Sequence, residues 1–186
     1  RQQGWLIVDE AFIDYCQSQS VVSLLSEHPR MIVLRSLTKF YAMPGLRIGY
    51  LVGASKVVDR LKDRQPPWSV NSLAQEVSLA VLRDHAYATK SCSFMKSERS
   101  RFMRALRYLS GLRVYPSAAN FVLIELPAAT CAGEVTERLA SERLLVRDCS
   151  ALPCLTTQMI RVAIRTAKEN RRLLAALGAC VRKGQS

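Results

Sequence analysis

The stretch from Met31 to Tyr50, Met-Ile-Val-Leu-Arg-Ser-Leu-Thr-Lys-Phe-Tyr-Ala-Met-Pro-Gly-Leu-Arg-Ile-Gly-Tyr, constrains this chain more than any other. An apolar run of strand length, residues 31–34, gives way to a polar segment carrying Ser36, Thr38 and Lys39. Pro44-Gly45 then forbids a continued helix, because proline has no amide proton and its ring clashes with the preceding turn. A second apolar run starts at Ile48. The pattern is strand, polar turn, strand, with an amine nucleophile flanked by two groups able to bind anions, Ser36 and Arg47. Upstream, residues 5–8 read as another buried strand ending in Asp9-Glu10. In an open sheet the carboxyl ends of strands border a ligand crevice, and that is where Asp9 falls.

The rest of the chain alternates in the same way. A short helix is expected over residues 20–26, and a strand over 48–53. Ser55 is expected to cap a helix over 56–64 that Pro66-Pro67 stops, and Asn71 the next, over 72–84. Residues 86–110 have helical periodicity, with Phe94, Phe102, Leu106 and Leu109 on the apolar face. Strands buried on both faces and alternating with helices imply an α/β chain with a mostly parallel sheet. From Gly111 the pattern changes to a small α+β unit. Its strands are expected at 121–126, 144–147 and 160–164 and its helix at 131–141. The last helix opens with Thr166-Ala-Lys-Glu169, a capping box, and frays at Lys183-Gly184.

Composition narrows the class of function. Apolar residues make up 49% of the chain, enough for a sizeable core. The formal net charge is +12, but the arginines are spread among apolar runs rather than gathered in one block. That weighs against a nucleic-acid-binding module and suits an enzyme for phosphorylated substrates. The six cysteines include no Cys-x-x-Cys pair, and the two histidines stand apart from them, so neither a metal site nor a disulfide framework is indicated. No apolar run is long enough to span a membrane, and a reducing cytoplasm is expected.

Taken together, Asp9, Ser36, Lys39 and Arg47 resemble the cofactor site of fold-type I pyridoxal-phosphate enzymes, the aspartate aminotransferase superfamily. Asp-Glu-Ala-Phe12 and the Ser36 to Tyr50 segment are similar to the histidinol-phosphate aminotransferase branch, and more narrowly to the threonine-phosphate decarboxylases of cobalamin biosynthesis. Pro66-Pro-Trp-Ser-Val-Asn71, Tyr115-Pro-Ser-Ala-Ala-Asn-Phe121 and Ile160-Arg-Val-Ala-Ile-Arg-Thr-Ala-Lys-Glu-Asn170 extend the resemblance along the chain.

The resemblance implies the C-terminal half of a longer, homodimeric protein. Residues 1–85 would be part of the cofactor-binding large domain, 86–110 a connecting helix, and 111–186 the small domain. It makes Lys39 the amine that takes pyridoxal 5′-phosphate and later moves a proton at the substrate Cα. Asp9 becomes a buried carboxylate facing the pyridine nitrogen, and Ser36 and Arg47 ligands of the cofactor phosphate. Arg161, inside an apolar run and so expected to be buried with an anionic partner, becomes a substrate-anion arginine, with Arg147 as a second. Arg165 is a weaker candidate, Asn120 lines the small-domain side, Tyr115 stands there too but with packing as its expected role, and Glu10 is structural. Phe12 stands where the aminotransferases usually carry a hydrogen-bonding tyrosine, which favours the decarboxylase. The implied reaction is decarboxylation of a small phosphorylated amino acid, threonine phosphate; the alternative is histidinol-phosphate-type amino transfer.

Ser36-Leu-Thr-Lys39 also fits the Ser-x-x-Lys of penicillin-recognising enzymes. That chemistry needs a helix running on from the serine, which Pro44-Gly45 interrupts, and a Lys-Thr-Gly motif, which the chain lacks.

Overall fold

The computed structural model describes residues 4–183. The chain divides into two compact units, the first ending at Cys92 and the second beginning at Ser93.

In the first unit, β1 (Leu6–Asp9), β2 (Met31–Ser36) and β3 (Gly49–Gly53) form a sheet in that order. β1 runs parallel to β2, with Asp9 opposite Leu34, while β3 runs antiparallel to β2, with Ser36 opposite Gly49. Of the two ladders here, one is therefore parallel and one antiparallel. The reason is the link between β2 and β3. It contains one helical turn, α1 (Leu37–Phe40), and a 3-10 turn at Pro44–Leu46, and returns beside the strand it left instead of crossing over as a parallel connection must. β1 is an edge strand, and its apolar side chains are exposed (Ile7 61%), not buried as the sequence suggests.

Two helices follow β3. α2 (Ser55–Lys62) starts one residue earlier than expected: the carbonyl of Ala54 already accepts from Val57 and Val58, so Ala54 is the cap and Ser55 the first helical residue. α3 (Ser72–Arg83) is capped by Asn71, whose side chain accepts from the amide of Ala74 at 2.8 Å. α4 (His85–Arg107) buries Met95, Glu98, Phe102 and Leu106 at helical spacing; Phe94, one residue off that face, is exposed. No helix among the described residues is long and apolar enough to cross a membrane.

The second unit holds an antiparallel sheet ordered β4 (Arg113–Val114), β5 (Phe121–Glu125), β7 (Met159–Ala163) and β6 (Arg147–Asp148). Its core comprises Val122, Ile124, Ile160 and Val162 with Phe102 and Leu106 of α4, Leu139 of α5 (Ala132–Ser141) and Leu177 of α6 (Ala167–Lys183). β6 begins at Arg147, where the sequence suggests a strand ending. Residues after α5 are occupied by a Schellman reversal, in which the amide of Arg143 bonds to Ala140 O and that of Leu144 to Leu139 O. The reversal puts Arg143 at φ 59°, a backbone region that costs a residue with a Cβ. At α6 the capping box forms: Thr166 Oγ1 donates to Glu169 at 2.6 Å, and the Glu169 amide donates back at 3.4 Å. The expected fraying at Gly184 lies outside the described residues.

Two outcomes test these local features. Replacing Arg143 by glycine is expected to raise the free energy of unfolding by about 0.5–1 kcal/mol, since the left-handed position then carries no steric cost; urea denaturation of the purified protein measures it. Bonds from Thr166 and Arg165 lower the Glu169 carboxyl from 4.5 to about 2. Its contribution is full above pH 4.5 and lost as pH falls toward 2. Hydrogen exchange should therefore show the first turn of α6 losing protection over that window, and Glu169→Gln abolishing the dependence.

Candidate active site

The first unit gathers the amine and hydroxyl groups around one turn. β2 delivers Ser36 at its end, and α1 follows at once, so Lys39 lies one turn on and reaches back. The Lys39 amine donates to Thr38 Oγ1 at 3.1 Å and to Ser36 Oγ at 3.4 Å, and the two hydroxyls are 2.7 Å apart. Lys39 is exposed and its ammonium stands 5.9 Å from the ring of Phe12, just beyond β1. Beneath it, Phe40 makes edge contacts with Tyr15, Tyr41 and Tyr87, and Tyr87 donates its hydroxyl proton to the carbonyl of Phe40 at 3.0 Å. This aromatic packing anchors the lysine turn.

Asp9 ends β1 one strand over. It is exposed rather than buried, because β1 is an edge, and its Oδ1 accepts from the amide of Ala11 at 2.9 Å. Arg47 is brought beside Ser36 through the backbone: the Leu37 amide donates to Ile48 O at 3.3 Å, directly after Arg47. Its guanidinium donates to Pro44 O at 2.9 Å, and its backbone is left-handed at φ 51°. All four residues read from the sequence therefore cluster at the carboxyl ends of β1 and β2 and the start of β3, with Ser36 and Lys39 in contact.

Three positions escaped the sequence reading. Thr38, buried at 4% exposure, joins Ser36 to Lys39. Arg35 links the strands by pairing with Glu10 at 2.9 Å. Gly49 allows β3 to approach: a Cβ there would lie 2.5 Å from the carbonyl oxygen of Arg35. A glycine inside an apolar strand run was the available signal.

In the second unit Arg147 and Arg161 are directly opposed on β6 and β7. Opposed residues of an antiparallel pair share a face, so both side chains leave the same face of the sheet. Arg161 is exposed, not buried: Ile160 and Val162 point into the core and the residue between them points out. Its guanidinium lies 4.8 Å from the centre of the Phe121 ring. Neither arginine forms an ion pair among the described residues. Burial pushes the neighbouring Cys149 thiol up, while Arg161 and Arg147 pull it down. Arg165 pairs with Glu169 at 2.6 Å, and Tyr115 donates its hydroxyl proton to Glu125 at 2.8 Å.

The sequence matches the aminotransferase class I and II family over residues 1–177, and the chain belongs to that family. Over 174 residues it is 42% identical to threonine-phosphate decarboxylase of Salmonella typhimurium, covering 92% of this chain and 47% of that protein. The histidinol-phosphate aminotransferase of Clostridium acetobutylicum superimposes with a TM-score of 0.90 at 31% identity, over 96% of this chain and 55% of that one. L-threonine-O-3-phosphate decarboxylase of Porphyromonas gingivalis gives 0.84 at 26%, over 93% and 54%. The chain spans about half the length of the curated relatives it matches. The cofactor of this family is pyridoxal 5′-phosphate. The donor set fits it: a free amine suits the aldehyde, a hydroxyl and an arginine suit the phosphate, and an unpaired carboxylate suits the ring nitrogen.

Gly49→Ala is expected to cost about 1–3 kcal/mol of stability, because the contact is with backbone that cannot swing aside. A fall in the urea midpoint checks it; an unchanged midpoint would mean that β3 shifts freely.

Proposed function

We propose that the protein carrying this chain is a pyridoxal-phosphate-dependent decarboxylase of L-threonine O-3-phosphate, forming CO₂ and (R)-1-amino-2-propanol O-2-phosphate for the cobalamin side chain. The observation that carries the reading is the opposed pair Arg147 and Arg161, which suits a substrate bearing both a carboxylate and a phosphate. The 42% identity to the Salmonella typhimurium enzyme supports it, as does Phe12, which offers no hydroxyl beside Lys39.

When bound, the cofactor supplies an aldehyde for the amine and a ring that takes up the electron pair released at the substrate Cα. Lys39 would be the amine that holds it, with the substrate amine taking the same aldehyde. Asp9 keeps the ring nitrogen protonated, and Ser36 and Arg47 donate hydrogen bonds to the phosphate. Arg147 and Arg161 hold the two substrate anions and so decide which bond at Cα is presented for cleavage. The bond to the carboxylate breaks, CO₂ leaves, and Lys39, or a water it orients, returns a proton to Cα. Residues 1–85 belong in this reading to the cofactor-binding large domain, 86–110 to a connecting helix and 111–186 to the small domain of a cytoplasmic homodimer, with neither nucleic acid nor membrane as partner.

A second reading, histidinol-phosphate amino transfer, draws support from the TM-score of 0.90 to the Clostridium acetobutylicum enzyme. It uses the same lysine and aspartate but requires a 2-oxo acid acceptor. The test is CO₂ release from threonine phosphate by the full-length protein, with and without 2-oxoglutarate. Acceptor-independent release, lost in Lys39→Ala and reduced at least tenfold in Arg147→Ala or Arg161→Ala, is the expected result. Amino transfer from histidinol phosphate without CO₂ would replace the first reading by the second.

A further inference from the structure

We infer that Thr38 is a positioning residue that fixes the Ser36 hydroxyl as a donor toward the cofactor phosphate. The inference rests on the proposed assignment of Ser36 to that phosphate. It follows from counting protons and lone pairs in the cluster of Ser36, Thr38 and Lys39. A hydroxyl has one proton to give and two lone pairs, and an ammonium has three protons and no lone pair. Lys39 therefore donates to both hydroxyls, at 3.1 Å to Thr38 and 3.4 Å to Ser36. Between the hydroxyls, 2.7 Å apart, one must donate to the other.

Burial decides the direction. Thr38 is 4% exposed, and its hydroxyl has no partner beyond Ser36 and Lys39 among the described residues. If Ser36 donated, the Thr38 proton would be left in the interior with no acceptor, which native structures avoid. With Thr38 as donor, its proton goes to Ser36 and nothing is left unmade. Both lone pairs of the Ser36 oxygen are then engaged, by Thr38 and by Lys39, and its own proton is free. Ser36 is only half-buried, so that proton can turn outward. An anion accepts and does not donate, so a serine locked in this state is set in advance for a phosphate oxygen. Without Thr38 the Ser36 rotor loses its lock and must be ordered when the anion arrives.

The experiment compares pyridoxal 5′-phosphate with pyridoxal, which lacks the phosphate, as ligands of the full-length apoprotein, read by absorbance titration. Thr38→Val, nearly isosteric, is expected to weaken the phosphorylated ligand about fivefold, the affinity equivalent of one neutral hydrogen bond, and to leave pyridoxal unchanged. Thr38→Ser keeps the hydroxyl and should restore affinity. In a Ser36→Ala background Thr38→Val should have no further effect, because no hydroxyl remains to orient. Equal weakening of both ligands would reduce Thr38 to a packing residue and overturn the inference. A further loss of phosphate affinity in the Ser36→Ala background would overturn it differently, making Thr38 a direct phosphate ligand. Should Ser36→Ala leave the phosphorylated ligand unaffected, the assignment of Ser36 to the phosphate fails, and the inference with it.

Discussion

A carboxylate at 5% exposure, that of Glu10, holds the first unit in register. Removing a charge from water costs several kcal/mol unless its lone pairs are filled, and here three hydrogen bonds and an ion pair compensate it. The Val21 amide approaches to 2.7 Å, Ser20 Oγ to 3.0 Å, and the Arg35 guanidinium to 3.1 Å through Nε and 2.9 Å through Nη2. Arg35 is itself pulled down by burial, but hydrogen bonds with Tyr50 and Glu10 outweigh this and push it up. Tyr50 is the register partner of Arg35 across β2 and β3. One buried pair thus ties together β1, β2 and β3. Asp9 immediately precedes Glu10 and Ser36 immediately follows Arg35, so the candidate site inherits its spacing from an interaction in which none of its own side chains takes part. This explains how Asp9 and Lys39 can both be exposed and still be held at defined positions.

What the sequence disclosed here was local. Strand, turn and strand around Lys39, the Asn71 cap and the Thr166–Glu169 box depend on neighbours within four residues, and each formed as read. The misreadings arose where a second segment decides. The direction of β3 depends on how a link of one helical turn folds back, which no periodicity reports. The start of α2 depends on which carbonyl is reached first, and Ala54 needs no side chain to begin a helix. Gly49 and Thr38 matter through what stands beside them, a carbonyl for the one and a hydroxyl and an amine for the other, and those are visible only once the chain is folded.

Arg161 is a different case, since its own segment carries the signal in its period. Taken as one apolar run, residues 159–164 make Arg161 a buried charge. Taken in twos, Ile160, Val162 and Ile164 face the core and Arg161 faces out, as observed. Facing solvent, Arg161 needs no anion to offset burial, and its neighbours on the sheet matter instead. On the strands of this sheet Arg113 has Glu125 at 3.6 Å and the Tyr115 ring beneath it. Arg147 and Arg161 face each other with no such carboxylate among the described residues.

Like charges directly opposed across a ladder destabilise it, and alternation would have let a neutral residue occupy either position at no cost to the core. The Phe121 ring 4.8 Å from the Arg161 guanidinium gives it a cation–π contact, which uses none of its hydrogen-bond donors. A fold gains nothing from such a pair on its own account. An anion between the two groups would reverse the sign of the interaction, turning a repulsive contact into two charge-assisted ones. The same logic holds in the first unit, where the Ser36 hydroxyl is left with a proton to give and the Lys39 amine with one of its three. Ser36, Lys39, Arg147 and Arg161 thus each keep donors to give, and in either unit such donors suit a group that accepts.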